Sequence, residues 1–288
     1  MSVAQEPLEA WVGRQEAAHD VATPSALRRL AALLDHEDPP WREHGTPPLG
    51  HWLYFLPDAP QRGMGSDGHP QRGGFLPPVP LPRRMFAGAR ISFPAPMPAS
   101  GPLERRSTIL RVAPKTGASG RMVFVTVRHE VFSAGELCVV EEQDLVYREA
   151  APPRGGGGGG AAGGAAGGEP SEPDVTRVVT CDPVQLFRYS AVTFNAHRIH
   201  YDRDYATQEE GYPGLVVHGP FIATLLMDLH LRDRPGSEVA AFSFRAQRPI
   251  FDGRPFSLNL IRTPTGAELW AAGPDGGVAM SASLEARD

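Results

Sequence analysis

Residues 189–219 read YSAVTFNAHRIHYDRDYATQEEGYPGLVVHG and carry three of the chain's ten histidines, His197, His200 and His218. Asn195, Thr193, Asp202 and several tyrosines, Tyr189 among them, lie in the same run. Three readings of that density compete. The histidines could be capping and loop residues bonded to backbone. His197 and His200, spaced HxxH, could bind zinc or iron with Asp202 and His218, although the flanking sequence reads as loop rather than as a helical metal face. Or imidazoles titrating near neutrality could do acid–base work beside a helix N-terminus. The run stops at Pro220, which opens PFIATLLMDLHL. That stretch is apolar almost all round, as a buried helix would be, and its first backbone N–H groups have no intrahelical partner.

The rest of the chain removes other chemistries. Lys115 is the sole lysine and lies in the turn-like PKTGASG, so neither a Schiff-base lysine nor a P-loop is available. Net charge is −5 with the arginines scattered, which argues against nucleic acid as a partner. No run approaches the ~18 apolar residues of a membrane span. The acidic N-terminus has no secretory pattern, and Cys138 and Cys181 form no motif, so a cytoplasmic location is expected.

The elements that must position the histidine-rich run divide at residues 154–174, RGGGGGGAAGGAAGGEPSEPD, whose composition is that of a flexible linker. The expected organisation is an N-terminal domain over 1–153, the linker over 154–174 and a catalytic domain over 175–288. Before the linker, Thr23-Pro24 starts a helix with Leu27, Leu30, Ala31 and Leu34 on one face. Prolines and glycines then prevent a long helix from 47 to 98. Alternating runs follow, with Val123, Val125 and Val127 on one face of a half-buried strand. After the linker the expected order is strand, loop from 187 to 212, buried helix, then further strands, with Phe256, Leu258 and Leu260 alternating. A buried helix against antiparallel sheet is an α+β arrangement. The equivalent helix of the N-terminal half is not evident.

The motif around His200 resembles the signature of the hydratase 2, or MaoC-like, enoyl-thioester hydratases of the hot dog fold. His200, the following Tyr-Asp-Arg-Asp-Tyr-Ala and Val217-His218-Gly219 match it. Asn195 stands where that family has its catalytic Asp, and His197 where it has Asn. The longer phrase YSAVTFNAHRIHYDRDYA, with HWLYFLP, GHPQRGGFLPPVPLPRRMFAG and VFVTVRHE, is similar to a narrower branch: the mesaconyl-C4-CoA (3-methylfumaryl-CoA) hydratases and the mitochondrial 3-hydroxyacyl-thioester dehydratases.

The resemblance implies a double hot dog with a degenerate, pocket-shaping N-terminal half. It implies an acyl-CoA thioester substrate, no cofactor beyond the coenzyme A of that substrate, no metal, and a homodimer as a plausible assembly. His200 is then expected to activate water, Asn195 to orient it, and His197 to serve as the reserve proton-transfer group. The backbone N–H of Gly219 would form an oxyanion hole. Tyr189 and His218 would line the substrate site, and Arg83, Arg84 or Arg198 would pair with a substrate carboxylate or CoA phosphate. Dehydration of 3-hydroxyacyl thioesters in fatty-acid metabolism is the alternative within that chemistry. An acyl-thioester binding module without catalysis is the alternative outside it.

Overall fold

The computed structural model describes residues 7–41, 44–117, 120–149 and 172–287. Most of the glycine-rich run expected to be a linker lies outside the described residues. The strands are β1 (Gln15–Ala22), β2 (Arg83–Ser92), β3 (Gly101–Gly117), β4 (Gly120–Ser133), β5 (Glu136–Arg148), β6 (Val175–Thr180), β7 (Glu238–Ala246), β8 (Pro255–Thr263), β9 (Gly266–Ala272) and β10 (Val278–Arg287). They form one antiparallel sheet in the order β1-β3-β4-β5-β2-β7-β10-β9-β8-β6. Read outward from the centre, the two halves repeat. The order β2-β5-β4-β3-β1 is matched position by position by β7-β10-β9-β8-β6. The halves join where β2 pairs with β7, from Gly88↔Arg245 to Ser92↔Ala241.

Strand patterning follows the alternation in the sequence. Val123, Val125 and Val127 all point into the core, as do Phe256, Leu258 and Leu260. The helices are α1 (Pro24–Leu33), α2 (Pro183–Thr193) and α3 (Gly219–Asp233). In α3 every residue from Phe221 to Leu231 is buried, which explains a sequence with no polar face. Truncating the fully buried Leu226 to alanine should cost about 2–5 kcal/mol. In α1, Leu27, Leu30 and Ala31 are buried, with Leu34 buried at its C-cap, as the spacing requires.

One expectation is corrected. The stretch from 187 onward was expected to be loop, but its first part is the end of α2. Pro183 takes the first helical turn and the Asp182 carboxylate accepts the Gln185 N–H at 2.7 Å, a start signal that the polar residues downstream obscure. α2 ends at Phe194, a non-glycine residue in the left-handed region (φ 47°), and Asn195 N–H closes the turn on Ser190 O at 2.8 Å. That conformation costs about 1–2 kcal/mol and turns the chain abruptly into the histidine segment.

The two halves differ between their first and second strands. The C-terminal half places α2 and α3 there. The N-terminal half has α1 and then, among the described residues, only 3-10 turns at Gly50–Leu53 and Gln61–Gly63. A satellite core of Trp11, Val79, Leu81, Ile109, Val125 and Tyr147 covers the sheet there instead.

Candidate active site

The histidine segment crosses the chain as a short 3-10 turn, Arg198–His200, pinned on both sides. Val216 N–H donates to Ile199 O at 3.0 Å, and Val217 N–H donates to Ile250 O at 2.8 Å. This fixes the Val216 carbonyl opposite the His200 ring, whose Nδ1 lies 2.7 Å from it. A carbonyl only accepts, so His200 carries its proton on Nδ1 and its Nε2 keeps a lone pair. His200 is 7% exposed. Burial is the main reason its imidazole is held down at about 4. The ring is therefore neutral at pH 7 and built to accept a proton at Nε2.

His218 stacks on His200 with centroids 3.6 Å apart. It is fully buried, its Nε2 lies 2.8 Å from Ser190 Oγ, and its Nδ1 has no partner among the described residues. Burial pushes it well below the ordinary histidine value. Tyr189 packs between His218 and Phe221, and burial raises its hydroxyl's pKa. His197 meets His200 edge-on, centroids 5.4 Å apart, and burial holds it at about 2. Asn195 spends its amide oxygen on His197 N–H at 3.0 Å, which leaves its NH₂ as the group free to hold a water. Gly219 opens α3. A Cβ there would meet only Phe86 O at 3.9 Å, so nothing in the described chain requires glycine at that position.

The three arginines separate. Arg83 Nε pairs with Glu210 at 2.9 Å and its NH2 donates to Glu210 O at 2.7 Å. Arg198 is bound to Asp202 at 2.8 Å, donates to Ser66 O at 3.0 Å and lies over the Tyr205 ring. Both are committed within the protein. Arg84, one residue along β2, has no carboxylate partner among the described residues, and its charge disfavours protonation of His69 and His197.

His69 and Asp67 are the residues that the motif reading did not single out. They lie in the N-terminal half, Asp67 just before and His69 within the GHPQRGG phrase, remote in sequence from the His197 ring that His69 meets. The His69 ring lies 4.1 Å from His197 and its Nδ1 is 3.1 Å from Asp67 Oδ2. Burial would raise the Asp67 carboxyl, but the bonds from the His69 ring and backbone N–H outweigh it and hold the group well below the ordinary carboxylate range. Donor atoms of Asp67, His69 and His197 lie within 4.8 Å of one another, so among the described residues this trio, not the HxxH with Asp202 and His218, is the set that could grip a cation.

A repeated sheet wrapped on one buried helix, with a neutral buried histidine facing that helix's N-terminus, defines a MaoC-like double hot dog. Solved structures agree on the fold. The chain superposes on a MaoC-like dehydratase from Phytophthora capsici with a TM-score of 0.69 at 13% identity, covering 96% of each chain. It also matches Rv0216 of Mycobacterium tuberculosis, described as a double hotdog, with a TM-score of 0.55 at 12% identity over 96% of each. The hydroxyacyl-thioester dehydratase type 2 profile matches residues 45–252, and the chain belongs to that family. It is 49% identical to the mesaconyl-C(4)-CoA hydratase of Chloroflexus aurantiacus over 96% of both chains. It is 27% identical to the mitochondrial hydroxyacyl-thioester dehydratase type 2 of Schizosaccharomyces pombe, over 76% of this chain and 78% of that one.

Proposed function

We propose that the protein is a hydro-lyase that adds water reversibly across the double bond of an enoyl-CoA, with mesaconyl-C4-CoA as substrate and a citramalyl-CoA as product. The observation that carries this is the free Nε2 of His200, fixed by the Nδ1–H bond to Val216 O. His200 Nε2 takes a proton from water as the water oxygen bonds to C3, and the double-bond electrons move onto the thioester as an enolate. Asn195 NH₂ holds the water. Gly219 N–H, at the α3 N-terminus, holds the enolate oxygen, in space that the chain leaves open at that residue. C2 then receives a proton from the His200 imidazolium, with His197 in reserve, so that H and OH are both delivered from one water. His218 and Tyr189 back the His200 ring and keep it dry.

The distal carboxylate of a C4-dicarboxylic acyl group needs a cation if it enters a largely buried site. Arg84 supplies it, because Arg83 and Arg198 are already paired. The likeness to the Schizosaccharomyces pombe dehydratase supports a second reading, dehydration of straight-chain 3-hydroxyacyl thioesters. A homodimer and a cytoplasmic location belong to the proposal, and light scattering tests the first. The enzymatic test follows enoyl-thioester absorbance with purified protein on mesaconyl-C4-CoA and crotonyl-CoA. A higher specificity constant for the dicarboxylic substrate is expected. Preference for crotonyl-CoA would favour the second reading, and inactivity on both would leave a binding module.

A further inference from the structure

The chain between α1 and β2 of the N-terminal half carries a small hairpin over residues 63–71. Gln71 N–H to Gly63 O (2.8 Å), Gly65 N–H to His69 O (2.7 Å) and the Met64↔Pro70 bridge close it. Its tip is docked on the other half. Arg198 N–H donates to Asp67 O at 2.9 Å, and the Arg198 guanidinium donates to Ser66 O at 3.0 Å. Gly68, at φ +87°, presses so closely on the 196 backbone that a Cβ would collide with the Ala196 carbonyl. A close backbone approach and a left-handed conformation both demand glycine there.

The docked tip presents a rigid pair. Asp67 Oδ1 accepts the His69 N–H at 3.0 Å and Oδ2 lies 3.1 Å from His69 Nδ1, so the ring is fixed in the tautomer with Nδ1 protonated. From there the rings run without a gap: His69 to His197 at 4.1 Å, His197 to His200 at 5.4 Å, His200 to His218 at 3.6 Å. Asn195, whose Oδ1 accepts the His197 N–H at 3.0 Å, is uncharged and offers no negative charge to a proton on these rings.

We propose that the active site is composite. The Asp67–His69 pair of the N-terminal half is its carboxylate–imidazole pair, a positioning pair that orients His197 and supplies the negative charge that residue 195 lacks. This rests on the hydratase reading above.

The charges around the cluster agree. When His200 takes a proton from water, its positive charge forms among three other imidazoles. The Arg84 charge, felt at His69 and His197, and the Arg72 charge, felt at His69, add to the repulsion. Asp67 counters it at one remove: its charge favours protonation of His69 and His197, the ring that borders His200. The positive charges of Arg84 and Arg72 felt at His69 also make the trio a poor cation site, and one Asp67 oxygen is already engaged with the His69 ring.

The test compares wild type, Asp67→Asn, Asp67→Glu and His69→Gln on whichever enoyl-CoA the wild type hydrates, with pH–kcat profiles and metal analysis. Asp67→Asn keeps the size of the side chain and removes the charge. It should lower kcat about ten- to a hundredfold, below the full contribution of a general base, with KM little changed. Activity is lost at acid pH when the base protonates. Without the carboxylate the protonated cluster is less stable, so that acid limb should move down by about half a unit or more. Asp67→Glu should recover part of kcat and the wild-type limb, which a purely structural role for the loop would not give. Near-wild-type kcat with an unmoved limb in both Asp67→Asn and His69→Gln would overturn the composite site. So would stoichiometric zinc or iron lost in Asp67→Asn and needed for wild-type activity. A wild type inactive on every enoyl-CoA would instead overturn the hydratase reading, and this inference with it.

Discussion

The two halves of the sheet share one strand order, yet each places a buried histidine next to a different kind of neighbour. In the N-terminal half the turn Gly50–Leu53 brings His51 and Trp52 onto Glu141 of β5. The Glu141 carboxylate receives His51 Nε2 at 2.9 Å, Trp52 Nε1 at 3.1 Å and Gln143 Nε2 at 3.0 Å. The oxygens of the carboxylate are thus engaged inside the protein, although His51 Nδ1, like His218 Nδ1, has no partner among the described residues. In the C-terminal half His200 has one nitrogen tied to backbone and the other free, His218 has an unpartnered Nδ1, and Asn195 has an unspent NH₂. Saturated polar groups hold a fold together, and unsaturated ones in a buried place are available to a substrate. The contrast lies in the acceptors, a carboxylate engaged on both oxygens against an imidazole with a free Nε2, and it favours the C-terminal cluster for the proposed chemistry, which the N-terminal half reaches through its docked hairpin.

The largest effect should come from the free imidazole. His200→Ala is expected to cut turnover by ~10²-fold or more while circular dichroism and melting remain near wild type. A folded variant with near-wild-type turnover would move the chemistry elsewhere in the ring chain. Next in size is Arg84→Gln. A charge-assisted pair is worth roughly 1.5–3 kcal/mol, about one to two decades in specificity constant. The ratio of mesaconyl-C4-CoA to crotonyl-CoA should fall by that factor. Arg83→Gln and Arg198→Gln should leave the ratio unchanged, because their guanidiniums are paired with Glu210 and Asp202. Equal ratios for all three variants would remove the dicarboxylic preference from this site.

Asn195 should matter less than His200, since it holds water without taking its proton. Asn195→Ala should lower kcat about tenfold, and Asn195→Asp should retain activity with a displaced pH profile. A kinetically silent Asn195→Ala would show that its amide serves only the turn it makes with His197.

Much of this comparison is legible in the sequence, and the gaps have physical causes. The strands and α3 follow from alternation and from an apolar run whose length suits a helix. The arrangement around His200 is local, within thirty residues of Gly219, so a motif can expose it. The second half of α2, from Phe187, reads as loop because that exposed phenylalanine and its polar continuation mask an amphipathic turn. Asp67 and His69 stayed hidden because only the folded chain brings them to His197. Nothing in the local pattern of GHPQRGG records that contact. The choice among Arg83, Arg84 and Arg198 is likewise a matter of partners from distant segments.

The smallest effect on turnover and the clearest on stability should come from Glu141. Burial alone would raise its carboxyl, but the His51 bond and charge, with the His129 charge and the Trp52 bond, hold it below the ordinary value. A carboxylate with a depressed folded pKa contributes stability that is present above its unfolded value, ~4.3, and lost as pH falls through the folded one. Histidines act in a second window. His129 and His200 are each held at about 4 by burial, against ~6.5 unfolded, so their neutral forms cost stability progressively as pH drops from 6.5 toward 4. Glu141→Gln removes the first contribution and, by taking away a charge that favours His129 protonation, slightly deepens the second. It should lower stability on the order of 2 kcal/mol at pH 7 and leave kcat of the folded protein close to wild type. Between pH 7 and 5 the two denaturation curves should fall nearly in parallel, driven by the histidines. Below pH 4.5 the wild type alone loses the carboxylate's contribution, so the gap should narrow. A gap that stays constant to pH 3 would mean that Glu141 acts by shape rather than charge. A large loss of kcat at pH 7 would mean that its charge, which reaches the Tyr189 hydroxyl, belongs to the chemistry after all.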